Sequence, residues 1–276
     1  MHKADPFMTL VAAFGSYKIP LSEKSFPDRF TPEYIARKKE QYVKLGQMRD
    51  WHREMELKLT DSETAIFDMT KLRYIDPASV PVGLTYFCTL DGAFSEKDAA
   101  DKSAFTVLGI DSDGNWYVWS YAMRATPQEV IHKLFELHSQ FGFNEVGIEK
   151  GAFLLSMKVE VDRLQLDYQQ YFSVAELSTT GSKISRMKAL TPVINSGRLT
   201  VVDTGEDAEE LVEQIELTDD TGCAAKHDDN LDSMCQLLQM NLYYSEDSNY
   251  SPTREDYERD MNVTKKDGMS EWLTEL

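Results

Sequence analysis

The chain has 276 residues, 42% of them hydrophobic and 11% aromatic, which is enough to bury a full core and excludes a disordered polypeptide. A net charge of −18 excludes wholesale electrostatic capture of a polyanion, so any contact with nucleic acid has to be local. No stretch approaches the roughly 18 uninterrupted apolar residues of a membrane span, and no basic segment with an apolar signal core opens the chain, so a cytoplasmic location and no membrane partner are expected.

Residues 1–82 read as a connector, punctuated by Pro20, Pro27, Pro32, Pro77 and Pro81. One helix is expected in it, opened by Thr31-Pro32-Glu33-Tyr34 with Thr as the cap and Pro at the first helical position. From Val82 the texture changes to runs rich in β-formers: Gly83 to Leu90, Ala104 to Ile110 and Trp116 to Tyr121, predicted as three antiparallel strands. Asp111-Ser-Asp-Gly-Asn115 supplies the turn between the second and third. The capping box Thr126-Pro127-Gln128-Glu129 starts a helix whose stripe is Val130, Ile131, Leu134, Leu137 and Phe141.

Strands then alternate with helices. Glu145 to Glu149 reads as a buried strand, Ala152 to Leu166 as a helix, Phe172 to Leu177 as a strand and Ser185 to Ile194 as a helix. Leu199 to Val202 follows as a strand, Asp207 to Leu217 as a helix, and a final helix runs from Asp229 to about Tyr244. The pattern predicts one α/β domain over 83–244, a mixed sheet of three antiparallel strands and then parallel ones, flanked by helices on both faces. Residues 245–276 are polar, without a sustained apolar period, and read as a flexible tail. Cys88, Cys223 and Cys235 form no metal-binding spacing and read as free thiols.

Asp91 and Glu149 each end an otherwise apolar strand, where a carboxylate is a poor packing choice. Three more acids, Asp228, Asp229 and Asp232, crowd the start of the last helix. One Asp there is an ordinary cap for free N–H groups. Three within five positions exceed what a cap requires, and a bound cation would relieve their repulsion. Hard oxygen donors with no cysteine among them select Mg²⁺ or Mn²⁺, and two such ions can activate water and stabilise the leaving oxygen of a phosphodiester. Asp101 is a further candidate on the opening hairpin. Lys183, Arg186, Lys188 and Arg198 lie just upstream of the acidic stretch Asp203 to Asp220, an asymmetry that could steer a polyanion to one face.

Taken in order, Thr89-Leu-Asp91-Gly, Asp101-Lys-Ser-Ala104, Val146-Gly-Ile-Glu149, Lys183-Ile-Ser-Arg186, Ala189-Leu-Thr-Pro192, Gly197-Arg-Leu199 and His227-Asp-Asp-Asn-Leu-Asp232 form a set. This set resembles the C-terminal nuclease domain of tailed-bacteriophage terminase large subunits, an RNase H-like fold. The resemblance implies Asp91, Glu149 and Asp229 as the catalytic, metal-binding acids, with Asp232 as a fourth ligand and Asp228 as an alternative within the helix-start cluster. It gives Lys183, Arg186 and Lys188 a role against DNA phosphates. It also implies a metal-dependent endonuclease that cuts concatemeric viral DNA in the host cytoplasm. The partners it implies are double-stranded DNA, a portal protein, a small terminase subunit and a packaging ATPase domain. The chain itself contains no G-x-x-x-x-G-K-[ST] loop, and Gly181-Ser182-Lys183 has the wrong order, so no ATPase activity is expected from it. An RNase H-like resolvase or recombinase, or a non-catalytic docking module of the packaging machinery, are the competing readings.

Overall fold

The three antiparallel strands are β2 (Thr85–Asp91), β3 (Ser103–Ile110) and β4 (Trp116–Met123), with β3 central and buried along its whole length. The computed structural model that shows them describes residues 30–45, 47, 50–51, 54–55, 65–92, 102–178, 181–225 and 227–246. Asp101, the first 29 residues of the connector and the tail beyond residue 246 lie outside the described residues. The β3–β4 turn forms as its composition predicts: Gly114 takes φ of 75°, and the Asp111 carboxylate accepts hydrogen bonds from the backbone of Asp113 and Asn115. β2 starts at Thr85 rather than Gly83, because Gly83 has φ of 77°, outside the strand region.

The chain then builds parallel strands on both sides of this hairpin pair. α2 (Pro127–Phe141) opens on the predicted capping box, with Thr126 and Glu129 each accepting from the other's backbone N–H. It leads to β5 (Glu145–Glu149), which lies parallel to β2, and α3 (Ala152–Tyr168) leads to β6 (Ser173–Leu177), parallel to β5. On the other side β7 (Leu199–Val202) runs parallel to β4. The sheet is completed by β1 (Arg73–Ile75), which lies parallel to β7 and gives the order β1-β7-β4-β3-β2-β5-β6. Sequence pattern alone did not mark β1, a strand of three residues within the stretch read as connector.

Helices cover both faces, as predicted. One face buries Cys88, Leu90, Phe105 and Val107 against Val130, Leu134 and Leu137 of α2 and Met157, Val161 and Leu164 of α3. The other buries Phe87, Leu108 and Val118 against Leu211 and Ile215 of α6 (Glu206–Glu216) and Leu231 and Met234 of α7 (Asp229–Gln236). Each such side chain contributes about 1.5–3 kcal/mol by leaving water. The connector shares this second core: Val43 of α1 (Pro32–Lys44), Trp51 and Phe67 are buried in it, and Lys39 of α1 pairs with Glu213 of α6 at 2.9 Å.

Two helices differ from their predicted extents. The helix expected over 185–194 is two short ones, α4 (Lys183–Lys188) and α5 (Thr191–Asn195). Pro192 has no N–H to give the Lys188 carbonyl and its ring would clash there, so the helix breaks and restarts. The final helix ends at Gln236 and tightens into a 3₁₀ turn, Leu237–Gln239, well short of Tyr244. A small hairpin, β8 (Thr218–Asp219) and β9 (Gly222–Cys223), links α6 to α7.

Candidate nuclease site

Strand alternation decides which face each acid takes. In β2, Cys88 and Leu90 enter the core beneath α2 and α3, while Phe87 enters the opposite one, so Asp91, four residues on from Phe87, lies on the α7 side. In β5, Val146 and Ile148 occupy the α2 side, which turns Glu149 to the same face as Asp91. The parallel register pairs Leu90 with Ile148, and Glu149 with Leu177, so Asp91, Glu149 and Leu177 end three neighbouring strands at one edge.

Helix α7 is docked across these strands by buried hydrogen bonds. Thr89 Oγ1 donates to the Ser233 carbonyl at 2.8 Å, and Thr106 Oγ1 lies 3.1 Å from Ser233 Oγ. The Leu231 N–H, left free by the helix start, donates to Gln214 Oε1 of α6 at 2.8 Å. Gly147 permits a close approach from below: a Cβ there would stand 2.8 Å from Leu177 Cδ1 and 3.0 Å from Met240 Sδ. These contacts bring the start of α7, with its acids, over Asp91.

The electrostatics record that convergence. Burial, and then the charges of Asp232, Glu149 and Asp229, push the Asp91 carboxyl up to about 7, with Lys183 offsetting part of the effect. Lys183 Nζ sits 2.8 Å from Asp228 Oδ1 and 3.2 Å from Asp232 Oδ2, and Arg186 Nη2 sits 2.8 Å from Asp232 Oδ1. Burial works against both cations, but these carboxylates outweigh it and hold both above their ordinary values. Asp228, the N-cap residue of α7, makes no side-chain cap hydrogen bond; it is committed to Lys183 instead, so capping does not account for it.

The structure therefore gathers Asp91, Glu149, Asp229, Asp232, Asp228, Lys183 and Arg186 at one end of the sheet. It does not bring Lys188 among them: its exposed ammonium reaches toward the Asp220 carbonyl at 3.5 Å. Three contributors escaped sequence reasoning. The Lys102 N–H donates to Asp229 Oδ2 at 3.3 Å, and its side chain pairs with Glu210. Ser233 and Gln236 lie buried in α7. A signal for these two existed, since Asn230, Ser233 and Gln236 recur every third residue in a helix otherwise rich in Leu, Met and Cys.

Among the described residues, no three His, Cys, Asp or Glu side chains stand close enough together to hold a metal ion as placed. The donor chemistry nevertheless suits a hard divalent cation. Five carboxylates meet two basic side chains, and Asp91 rises to about 7 through burial first and then through the charges of Asp232, Glu149 and Asp229. Closing the acids on an ion would exchange the Lys183 and Arg186 pairs for a divalent charge.

A mixed sheet of this order, with helices on both faces, defines the class of RNase H-like folds. The family described as Terminase RNaseH-like domain matches residues 88–241, more than half of the chain, and the chain belongs to that family. It is similar to the structure of the P22 large terminase nuclease domain, at 19% identity and a TM-score of 0.43, over 64% of this chain and 91% of that one. It is also similar to the crystal structure of the HK97 bacteriophage large terminase, at 14% identity and a TM-score of 0.42, over 75% of this chain. The match spans half, 50%, of the HK97 chain. Comparison with curated proteins finds no match. No helix among the described residues is long and apolar enough to cross a membrane.

Proposed function

We propose that this chain is a Mg²⁺- or Mn²⁺-dependent endonuclease that hydrolyses double-stranded DNA and cuts concatemeric viral DNA during genome packaging. The observation that supports the reading is geometric: Asp91 and Glu149 end adjacent parallel strands, and α7, which Thr89 ties to the sheet through the Ser233 carbonyl, opens with Asp229 and Asp232 beside them. Asp91, Glu149 and Asp229, with Asp232 and with Asp228 once it parts from Lys183, would hold two ions. Ions held there would supply the activation of water and the stabilisation of the leaving oxygen. The residues of the chain do the rest. Asp91 gives up its proton, Ser233 and the Thr89 and Thr106 hydroxyls fix the height of α7 above the sheet, and Lys183 and Arg186 offer positive charge toward phosphate. Lys188, on the exposed side of α4, is a more peripheral phosphate contact.

The same reading places the protein in the host cytoplasm, working with a portal protein, a small terminase subunit and a packaging ATPase domain. In the domain organisation it proposes, residues 1–82 connect to that ATPase, 83–244 cut DNA, and 245–276 form a tail. The test is plasmid nicking by the full chain with Mg²⁺ or Mn²⁺, comparing it with Asp91→Ala and Glu149→Ala. Cleavage by the unaltered chain alone is expected; equal cutting by all three would sink the assignment.

A further inference from the structure

Beside Glu149, on the flank toward β6, lies a pocket of about 10 Å³ lined by Glu149, Leu177, Arg186, Gln236 and Gln239. That space is about the room that the centre of one water molecule needs. Gln236 closes its inner wall. It ends α7 one turn beyond Asp232, is 5% exposed, and its Oε1 has no hydrogen-bond partner. A buried amide oxygen without a donor is costly in a folded protein, and the ion pairs of the carboxylate cluster do not account for it.

We propose that Gln236 is a positioning residue of the nuclease, holding a single ordered water in this pocket against the Glu149 carboxylate and the Arg186 guanidinium. The donor count closes. Gln236 Oε1 and a Glu149 carboxylate oxygen accept the two O–H bonds of the water, and an Arg186 N–H donates to its oxygen. The water then ties together a strand end, a helix end and the guanidinium that already binds Asp232 at 2.8 Å. Its effect is to limit the rotation of Glu149, so that this carboxylate meets substrate in one orientation. Leu177 gives the pocket its apolar lining. Gln239 lines the same pocket but is exposed, so bulk solvent satisfies its amide.

This inference rests on the nuclease reading for its consequence, but not for its occupant. A high-resolution crystal structure of the full chain should show one water within hydrogen-bond distance of Gln236 Oε1; an empty pocket, or Gln236 turned to a protein partner, overturns the proposal whether or not the chain cuts DNA. In plasmid cleavage, Gln236→Leu should lower kcat about 10- to 100-fold, the range seen when a partner of a metal-site carboxylate is removed. KM for DNA should change less than about twofold, because the pocket does not touch the bulk of the substrate. Gln236→Asn, which keeps an uncharged amide acceptor, should recover part of the loss, and Gln239→Leu should leave kcat near that of the unaltered chain. Full kcat in Gln236→Leu, or a loss that Gln236→Asn does not reduce while both melt as the parent does, counts against positioning. Absence of cleavage by the unaltered chain would instead remove the nuclease reading and leave the crystallographic outcome to decide the water.

Discussion

Replacing Asp91 by Asn should abolish cleavage and at the same time make the metal-free protein more stable. The Asp91 carboxyl rises from 3.8 to about 7, through burial first and then through Asp232, Glu149 and Asp229. For an acid raised in the native state, the folded chain keeps a proton that the unfolded chain has already released. The folded state therefore loses stability as pH climbs from 3.8 to about 7, and the penalty is complete above that window. At about 1.4 kcal/mol per pH unit, the span amounts to roughly 4 kcal/mol. Neighbouring side chains turn to relieve part of it, leaving on the order of 2 kcal/mol, or about 6 °C in melting temperature for a domain of this size.

Asn fits the same space with no charge to bury, so Asp91→Asn should melt higher than the parent at pH 8 in EDTA. The difference should shrink steadily as the pH is lowered through this window and vanish only well below 3.8, where the parent carboxyl is protonated in both states. Added Mn²⁺ should narrow it as well, since only the parent gains binding free energy from all its acids. The assay is thermal unfolding by circular dichroism across pH, with and without Mn²⁺, beside plasmid nicking. A variant that melts at or below the parent at pH 8 without metal would refute the claim that repulsion and burial act on Asp91.

Arg186→Met should act in the opposite sense. It strips Asp232, whose side chain is 13% exposed, of a cation at 2.8 Å, and should cost about 2–3 kcal/mol in urea unfolding at neutral pH. A loss under about 0.5 kcal/mol would mean that Lys183 or water serves Asp232 equally well. Gly147→Ala tests the packing beneath Glu149. Its Cβ would lie 2.8 Å from Leu177 Cδ1 and 3.0 Å from Met240 Sδ. The crowding should cost about 1–3 kcal/mol and lower cleavage by displacing Glu149 two residues on. Unchanged melting and unchanged activity together would show that the Met240 turn yields freely.

Much of the architecture was legible because it is written in local patterns. The capping box at Thr126, the Asp111–Asn115 turn and the alternation through β2, β3 and β4 each specify a conformation from neighbouring residues alone. Strand-end acids were legible for a related reason: Asp91 and Glu149 interrupt apolar runs where nothing local repays a carboxylate. What was missed depends on distant partners. Arg73–Ile75 becomes a strand only because β7 offers an open edge, and its three residues carry no period of their own. The last helix was read too long because its apolar residues continue past Gln236, whereas the 3₁₀ turn there follows from packing Met240 against Gly147. Lys183 and Arg186 were legible as a basic pair and not as counter-ions of Asp228 and Asp232, since the 40 or so intervening residues say nothing of who meets whom.

That last point bears on how an acidic protein can meet DNA at all. With a net charge of −18, the chain has few cations to offer a phosphate, and the two best placed are already engaged with carboxylates. For Lys183 or Arg186 to reach a phosphodiester, Asp228 and Asp232 must be neutralised by something else, because a partly buried carboxylate left bare is costly. Under the proposed function, a divalent cation would do this. The electrostatics thus couple the two requirements, since whatever neutralises the acids also frees the basic side chains. Under the proposed function, the ion pairs between α4 and α7 would hold Lys183 and Arg186 away from phosphate until a cation takes their place beside Asp228 and Asp232.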